Sequence, residues 1–507
     1  MNSSSGVAEQ DGGGQIFVGV DLATASARVT CSSTSGVVLA TADAPLPAPS
    51  RSDAGTSEQD AASWWPATRR ALREATGKLG AARHRISALC ISATSGTVAL
   101  ADRQGNPLGP ALMYDDRRAS AQAAAAQRAG AQRWRDLGLS ISPSFSLAKV
   151  GWMAEHGLLK EPARICHASD LLLWQLAGEP TPTDWSHALK TGYDPLRCEW
   201  AVEALEALGV DTTRLPEVKP PTTVVGEVAT AVAAATGLPA GTQLVLGMTD
   251  SCAAQLACGV AQTGQFVTVL GTTLVLKGVQ EGLFLDPTGA VYSHRHPDGQ
   301  WLPGGASNTG GEALSVFAHE RYAELEAAAA ARGPAETVRY PLMRAGERFP
   351  FVASGAHFFE LGSPADEVEA FRSCLEGVAF LERLAYDHLR QMGMTITGPI
   401  TSAGGGSRSR VWSKVRATVL GCTLRTVAHA DTSFGACVLA AAGTAFPDVA
   451  AATAAMVQER STVEPARGEA EALLLSYGRF VDGLATRGWI DSELAAIARQ
   501  APKLTAS

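Results

Sequence analysis

Ile16-Phe17-Val18-Gly19-Val20-Asp21-Leu22-Ala23-Thr24-Ala25-Ser26-Ala27-Arg28 runs from an apolar stretch into a carboxylate and a small-residue turn, then resumes as Val29-Thr30-Cys31. This pattern predicts a strand, a tight turn and a returning strand. A similar unit, Phe266-Val267-Thr268-Val269-Leu270-Gly271-Thr272-Thr273-Leu274-Val275-Leu276, follows 249 residues later, counting from Val18 to Val267. Two hairpins with hydroxyls at their tips point to a duplicated fold. Small residues let a backbone approach a bulky anion, exposed N–H groups and Thr hydroxyls can hold phosphate oxygens, and an Asp beside them can hold a hydrated metal ion. Either hairpin alone is also an ordinary turn, because small polar residues dominate turns. The two together favour the grip of a nucleotide tail.

The chain of 507 residues is too long for one core, and a prior of about 150 residues per domain gives about two to four folding units. Hydrophobic content of 46% supports ordinary globular burial, and the net charge of −8 with no long basic run argues against nucleic acid or an anionic membrane as main partner. The nine cysteines fall singly with no C-x-x-C, as reduced core thiols of a cytoplasmic protein would. The Ser/Gly-rich residues 1–14 contain no Lys or Arg, so they read as a disordered tail and not as a targeting peptide.

Between the hairpins, Val37 to Thr41 could add a strand and Ala61 to Leu79 reads as a helix. Ile86 to Ser92 is a short apolar strand ending in Ala93-Thr94-Ser95-Gly96-Thr97, where a ligand at the strand's carboxyl end would meet the hydroxyls. Tyr114-Asp115-Asp116-Arg117-Arg118 leads into an Ala-rich helix, a pattern that is also an ordinary acidic helix start. The single histidines His156, His167 and His187 lack metal-ligand spacing, and His294-Arg295-His296 reads as a surface strand. Gln243 to Asp250 is a buried strand delivering one carboxylate into a small helix, Ser251 to Cys258; a lone Asp there is an N-cap or a base. Gly304 to Gly311 is expected to open a helix that suits an anion. Phe371 to Met392 reads as an amphipathic helix, and Gly404-Gly405-Gly406 as a turn permitting close backbone approach without the G-x-G-x-x-G spacing of a dinucleotide fingerprint. Asp431 to Cys437 starts a helix whose small residues would pack under that turn.

Taken together, Asp21-x-x-Thr24, Gly247-x-x-Asp250, Gly271-Thr272-Thr273, Gly305-Ala306-Ser307 and Gly404-Gly405-Gly406-x-x-Ser409 resemble the FGGY carbohydrate kinase family in order and separation from about residue 16 to residue 490. The resemblance implies an α/β, actin-like (ribonuclease-H-like) duplicated two-domain fold with a central cleft, closing over ATP, Mg2+ and a polyol or ketose. The corresponding division is a tail at 1–14, an N-terminal domain at 15–255, a C-terminal domain at 256–495 and a tail at 496–507. Asp250 resembles the family's catalytic base, which accepts the proton of the attacking sugar hydroxyl. Asp21 resembles the magnesium-holding residue. Thr24, Gly271 and Thr272 match phosphate-contacting turns, and Gly305, Gly405, Gly406 and Ser409 match positions around the distal half of the nucleotide. Asp116 matches the Asp of an aromatic-x-Asp-x-Arg element and is expected to accept a sugar hydroxyl.

Ser92 to Thr97 occupies the place where xylulokinases carry Gln-Met-His-Gly and glycerol kinases Asn-Gln-Arg-Glu, and neither set is present. The pattern looks closer to ribulokinase-like and plant or cyanobacterial pentulose-kinase members, making Thr94 and Ser95 candidate sugar contacts. The expected activity is ATP-dependent phosphorylation of a ketopentose at its terminal hydroxyl, D-ribulose ahead of D-xylulose. The partners implied are a small-molecule sugar and ATP, with no nucleic acid or membrane; a homodimer is allowed and no other protein partner is indicated. Ala23 stands where the family usually has Gly, and would cost about 1 kcal/mol if that position needed a positive φ. A catalytically weak sugar-binding relative and a phosphatase of the actin-like group are the competing readings; retention of Asp21 and Asp250 argues against the first, and Asp115-Asp116 with the single Asp250 against the second.

Overall fold

The computed structural model describes residues 13–160 and 162–500. Most of the expected N-terminal tail, residues 1–12, and the segment 501–507 lie outside the described residues; the last helix, Ser492–Gln500, extends through the start of the expected C-terminal tail. Two compact units form. The first comprises Met1–Gly259, His294–Gly299 and His429–Gln458, and the second Val260–Ser293, Gln300–Ala428 and Glu459–Ser507. The first unit recruits a late segment that no contiguous division of the chain contains.

The large sheet of the first unit is built from β1 (Ile16–Leu22), β2 (Ser26–Ser33), β3 (Val38–Pro45), β4 (Ile86–Ala93), β5 (Val224–Glu227) and β6 (Gln243–Thr249), in the order β5-β6-β4-β1-β2-β3. Every residue of β1 is buried, as befits a central strand covered on both faces. On one face Ile16, Val18, Val20 and Leu22 share a core with Ala67, Ala71, Leu72 and Ala75 of the helix Trp64–Lys78, whose buried positions recur at helical spacing. On the other face the helix Thr432–Ala442 presses so close that a Cβ on Gly19 would sit 1.9 Å from the Ser433 carbonyl oxygen. That helix packs on β1 at Gly19 and is tied to β2 by a Thr30–Ser433 hydroxyl bond of 2.8 Å. A smaller sheet in the same unit orders Ser50–Arg51, Ser57–Gln59, Ala111–Leu112, Val98–Ala101 and Arg164–His167. The chain thus leaves the large sheet at Ala93 and enters the small one at Val98, so Thr94 to Thr97 is the crossing between them.

Most of a seven-stranded sheet lies in the second unit, made of β7 (Phe266–Leu270), β8 (Leu274–Gly278), β9 (Tyr292–Arg295), β10 (Trp301–Ala306), β11 (Ile400–Ala403), β12 (Leu424–Val427) and β13 (Glu459–Val463), ordered β9-β10-β8-β7-β11-β12-β13. Within it β10-β8-β7-β11-β12 repeats the first unit's β3-β2-β1-β4-β6: two antiparallel steps, then two parallel ones. The two sequence hairpins are the equivalent first steps of a duplicated α/β, actin-like fold.

The helix Glu367–Gln391 contains the expected amphipathic helix. Its polar side is buried too, and Arg372 meets Glu376 at 2.6 Å while Glu382 binds the Arg416 guanidinium at 2.6 and 2.8 Å with both partners fully buried. A charged face inside a protein is tolerated when each charge is paired. Glu382→Ala leaves the Arg416 guanidinium without its carboxylate and is expected to cost ~3–5 kcal/mol, measured by denaturant unfolding; a loss under ~1 kcal/mol would mean water reaches the site. His294 and His296 are likewise buried and not at the surface. Eight of the nine cysteines are buried as expected, and Cys198 is exposed. Among the described residues, no helix is long and apolar enough to cross a membrane.

Candidate active site

Three parallel strands of the first unit end side by side. In register, Asp21 of β1 lies opposite Ser92 of β4, Leu22 opposite Ala93, and Ala93 opposite Thr249 of β6. The carboxyl ends of such strands are where α/β sheets bind ligands, and here they deliver Asp21, the Thr94-Ser95 turn and Asp250. The β4–β6 pairing loses register between Leu246 and Thr249; Gly247 lies in that irregular stretch, with the Ile91 carbonyl oxygen 2.0 Å from where a Cβ would be. The glycine is therefore required by the close backbone approach that precedes Asp250.

Asp21 is 4% exposed, its Oδ2 is 3.7 Å from the Arg28 guanidinium, and its Oδ1 is buried without a hydrogen-bond partner. Burial, with the Asp250 and Asp431 carboxylates adding to it and Arg28 opposing, pushes its pKa up to about 7. A buried carboxylate oxygen without a donor, facing two further carboxylates, suits a hard cation. Among the described residues no three His, Cys, Asp or Glu side chains group into a cage able to hold a metal alone, so such a cation would take its remaining ligands from water and phosphate, the habit of Mg2+. Asp250 is the first residue of the helix Asp250–Ala257, with Thr249 as N-cap; its Oδ1 accepts the Ser251 N–H at 2.6 Å and it stays partly exposed. Thr432 Oγ1 donates to the Asp250 carbonyl at 3.3 Å, which ties the two helix starts together.

The Thr94 and Thr97 hydroxyls lie 2.7 Å apart, and Ser95 Oγ is buried with no partner. Gly96 adopts φ +91°. Its carbonyl accepts from Lys149 Nζ at 2.8 Å, and the same ammonium reaches Met113 O at 2.5 Å. Burial brings Lys149 down to about 7, against the attraction of Asp116. Lys190 is a further residue of this region: its Cδ lies 3.4 Å from where a Gly96 Cβ would stand, and its ammonium is lowered by burial while Asp250 pulls it up. Nothing in Ala188-Leu189-Lys190-Thr191 marks it, except that a Lys interrupts a run of small and apolar residues. Asp431 was legible only as a helix start.

Asp116 does not serve as a free hydroxyl acceptor. It is fully buried, Oδ2 accepts the Ser57 N–H at 2.6 Å and Arg118 Nη2 at 2.8 Å, and Oδ1 accepts the Arg118 N–H and Nε at 3.1 and 3.0 Å. Its oxygens knit the small sheet to the segment that leads into the following helix. Asp116→Asn is expected to lower Tm by several degrees, ~1–3 kcal/mol for an orphaned buried donor, and to leave the sugar KM within about twofold; a tenfold higher KM at unchanged Tm would restore the contact role. Thr24 sits in the first turn with its carbonyl accepting from Gln59 at 2.8 Å. Ala23 carries no strain, since Cys198 and Thr222 are the non-glycine residues with positive φ among those described.

In the second unit Val269 pairs with Ala403, so the Gly271-Thr272 tip and the triple-glycine turn are neighbours. The tip is held by N–H donation from Gly311 to Gly271 O at 2.8 Å and from Glu312 to Thr272 O at 3.1 Å. Space in front of Gly405 is open to 4 Å, and Gly271 meets nothing nearer than 3.9 Å, so at these two positions a ligand could approach the backbone closely. Gly305 and Gly406 are glycines for another reason: a Cβ would strike the Phe349 ring at 2.4 Å and the Leu270 side chain at 2.5 Å. Gly305 lies within β10 opposite Leu276, set back from the tip, and the expected helix opening shrinks to the single turn Gly311–Leu314. Ser409 is the N-cap of the helix Arg410–Leu420, its Oγ accepting the Trp412 N–H at 2.9 Å.

Residues 16–257 match the model of the FGGY family of carbohydrate kinases, N-terminal domain, and residues 257–444 the C-terminal domain. The chain is similar to xylulose kinase of Escherichia coli (strain K12), 28% identical over 439 residues that cover 84% of this chain and 89% of the relative. It is 30% identical over 413 residues to xylulose kinase of Streptomyces rubiginosus, covering 79% and 82%. The crystal structure of xylulose kinase from Rhodospirillum rubrum superposes with a TM-score of 0.83 at 26% identity, over 94% of this chain and 99% of that one. Duplicated fold, matching domains across both halves and kinase relatives of nearly full length agree: the chain belongs to the FGGY family of carbohydrate kinases.

Proposed function

We propose that the protein transfers the γ-phosphoryl group of Mg2+-ATP to the terminal hydroxyl of a ketopentose, D-ribulose ahead of D-xylulose. The observation that carries this reading is the meeting of three parallel strand ends bearing Asp21, the Thr94-Ser95 hydroxyls and Asp250. Phosphoryl transfer asks a protein mainly for positioning and charge neutralisation. Asp250 takes the proton of the sugar hydroxyl as its oxygen bonds to the γ-phosphorus and the bond to the ADP oxygen breaks. Asp21, with its unpartnered Oδ1, would hold Mg2+, which neutralises phosphate charge when bound. Thr94 and Ser95 hydroxyls orient the ketose, and the open faces of Gly271 and Gly405 in the second unit admit the nucleotide.

The Thr94-Ser95-Gly96-Thr97 turn, which has no imidazole, supports D-ribulose. The naming of the Escherichia coli and Streptomyces rubiginosus relatives as xylulose kinases favours D-xylulose as a second reading. ADP release with Mg2+-ATP, coupled to a reporter and run against D-ribulose, D-xylulose, other ketoses, glycerol and polyols, tests both. A kcat/KM at least tenfold higher for D-ribulose is expected; the reverse ratio selects D-xylulose, and silence across the panel rejects the kinase reading. A sugar phosphate accompanying ADP separates a kinase from a phosphatase, which would yield inorganic phosphate.

A further inference from the structure

Behind the strand ends lies a charged cluster that the phosphoryl-transfer chemistry does not use. Asp184, Ser186 and His187 are each at most 2% exposed. Asp184 caps the short helix Trp185–Ala188: its Oδ1 accepts the N–H groups of Ser186 and His187 at 2.8 and 3.1 Å and the Ser186 hydroxyl at 2.6 Å. Its Oδ2 lies 2.5 Å from His187 Nδ1. The other imidazole nitrogen, Nε2, faces the Ala93 carbonyl oxygen at 3.3 Å. Both ring nitrogens therefore face acceptors, and only an imidazolium can donate to both. Ser186 Oγ, while donating to Asp184, accepts the Thr249 N–H at 2.9 Å.

Ala93 is the residue before the Thr94-Ser95 turn, and Thr249 the residue before Asp250. The cluster thus binds the last residue of β4 with its imidazolium and the last residue of β6 with its hydroxyl, and both hands belong to one four-residue helix. The β4–β6 ladder loses register between Leu246 and Thr249 and resumes with Ala93 opposite Thr249, so this pair follows an irregular stretch and the clip holds both of its members from outside the sheet. We propose that Asp184, Ser186 and His187 form a positioning clip that fixes Asp250 relative to the sugar-facing turn; the inference rests on the kinase reading above.

The groups facing His187 agree with a charged ring. Asp184 and Asp170 are the carboxylates around it, and the His167 ring stands 5.8 Å away, itself held by Asp170 and the Thr183 and Thr191 hydroxyls. Burial alone would lower His187, but Asp184 and Asp170 hold it up at about 9. A misplacement of about 1 Å between base and hydroxyl can cost ~10²-fold in rate, so a clip of this kind acts on turnover more than on binding.

The test uses the full chain with Mg2+-ATP and the ketopentose that the wild type turns over best. Ser186→Ala removes the acceptor of the Thr249 N–H and leaves the Asp184–His187 pair; His187→Gln removes the charge. Each is expected to lower kcat by tenfold or more while the KM values for sugar and ATP stay within about threefold, and Ser186→Thr, which keeps the hydroxyl, is expected to recover most of the loss. Variants with lower Tm but unchanged kcat in the folded protein would overturn the clip and leave a purely structural network. If His187→Gln does not fold, the Ser186 pair decides the matter. Spectra of histidine-labelled protein at pH 7.5 should show both His187 ring nitrogens protonated, and a neutral tautomer would refute the charged clip. Failure of the kinase reading is a different result, since there the wild type itself is silent on every sugar.

Discussion

Asp250→Ala is expected to lower kcat by ~10²–10⁴-fold, the contribution of a positioned general base, with the sugar KM changed by less than about fivefold. The bland role for an Asp at this place is helix capping, but the N-cap is Thr249 and Asp250 is the first helical residue, its Oδ1 accepting the next N–H, that of Ser251. A carboxylate that does no more than this could be removed for a few tenths of a kcal/mol. Its partial exposure leaves an oxygen able to reach a ligand, and the two neighbouring strand ends bring Asp21 and the Thr94-Ser95 hydroxyls alongside. Tm should therefore move by no more than a degree or two while turnover collapses. Steady-state kinetics beside a melting curve check this; a variant retaining more than a tenth of wild-type kcat would remove Asp250 from the chemistry.

Asp21→Asn is expected to abolish most activity and, in metal-free buffer, to make the protein more stable. Both effects come from one carboxylate buried against its own interest. Burial, with Asp250 and Asp431 beside it, lifts its pKa from 3.8 to about 7. In the unfolded chain the group ionises in the ordinary carboxylate range, so between about pH 4 and pH 7 the unfolded state increasingly holds the more favourable charged form, and stability falls as pH rises. Above about pH 7 the cost is fully present; below about pH 4 it is gone. At ~1.4 kcal/mol per pH unit of displacement the upper bound is about 4 kcal/mol. The asparagine variant should then melt several degrees higher than wild type at pH 8 without metal, with the gap closing as pH is lowered toward 5. Mg2+ with nucleotide should raise the Tm of the wild type and not of the variant, and kcat should fall by ~10²–10³ for want of charge stabilisation at the phosphates. A variant no more stable at pH 8 would show that Asp21 ionises there without penalty.

These carboxylates illustrate which part of the site could be read in advance. Apolar runs ending in a small-residue turn identify strand-turn-strand units because side-chain period and turn chemistry are local. Hence β1, β2, β7 and β8, the duplication and the carboxylates at strand ends were legible without coordinates. Asp116 looked equally convincing as a motif member, yet its oxygens are taken up by Ser57 and Arg118, and Ser409 spends one lone pair of its hydroxyl on the Trp412 N–H. The same holds for glycine: Gly271 and Gly405 face open space, whereas Gly305 and Gly406 make room for Phe349 and Leu270. His187 and Lys190 carry no spacing signal; beside the local Asp184, His187 faces Ala93, and Lys190 lies against Gly96, both contributed by a distant stretch of chain.

What the sequence by itself determined is the duplicated α/β architecture, the family and the place of Asp21 and Asp250 at strand ends, because each depends on hydrophobic period, turn residues and order along the chain. What only the tertiary structure decided is which polar atoms remain free to meet a ligand. That is a matter of hydrogen-bond partners brought together by folding, and a donor 59 residues away, as Ser57 is from Asp116, leaves no trace in the local pattern of either residue.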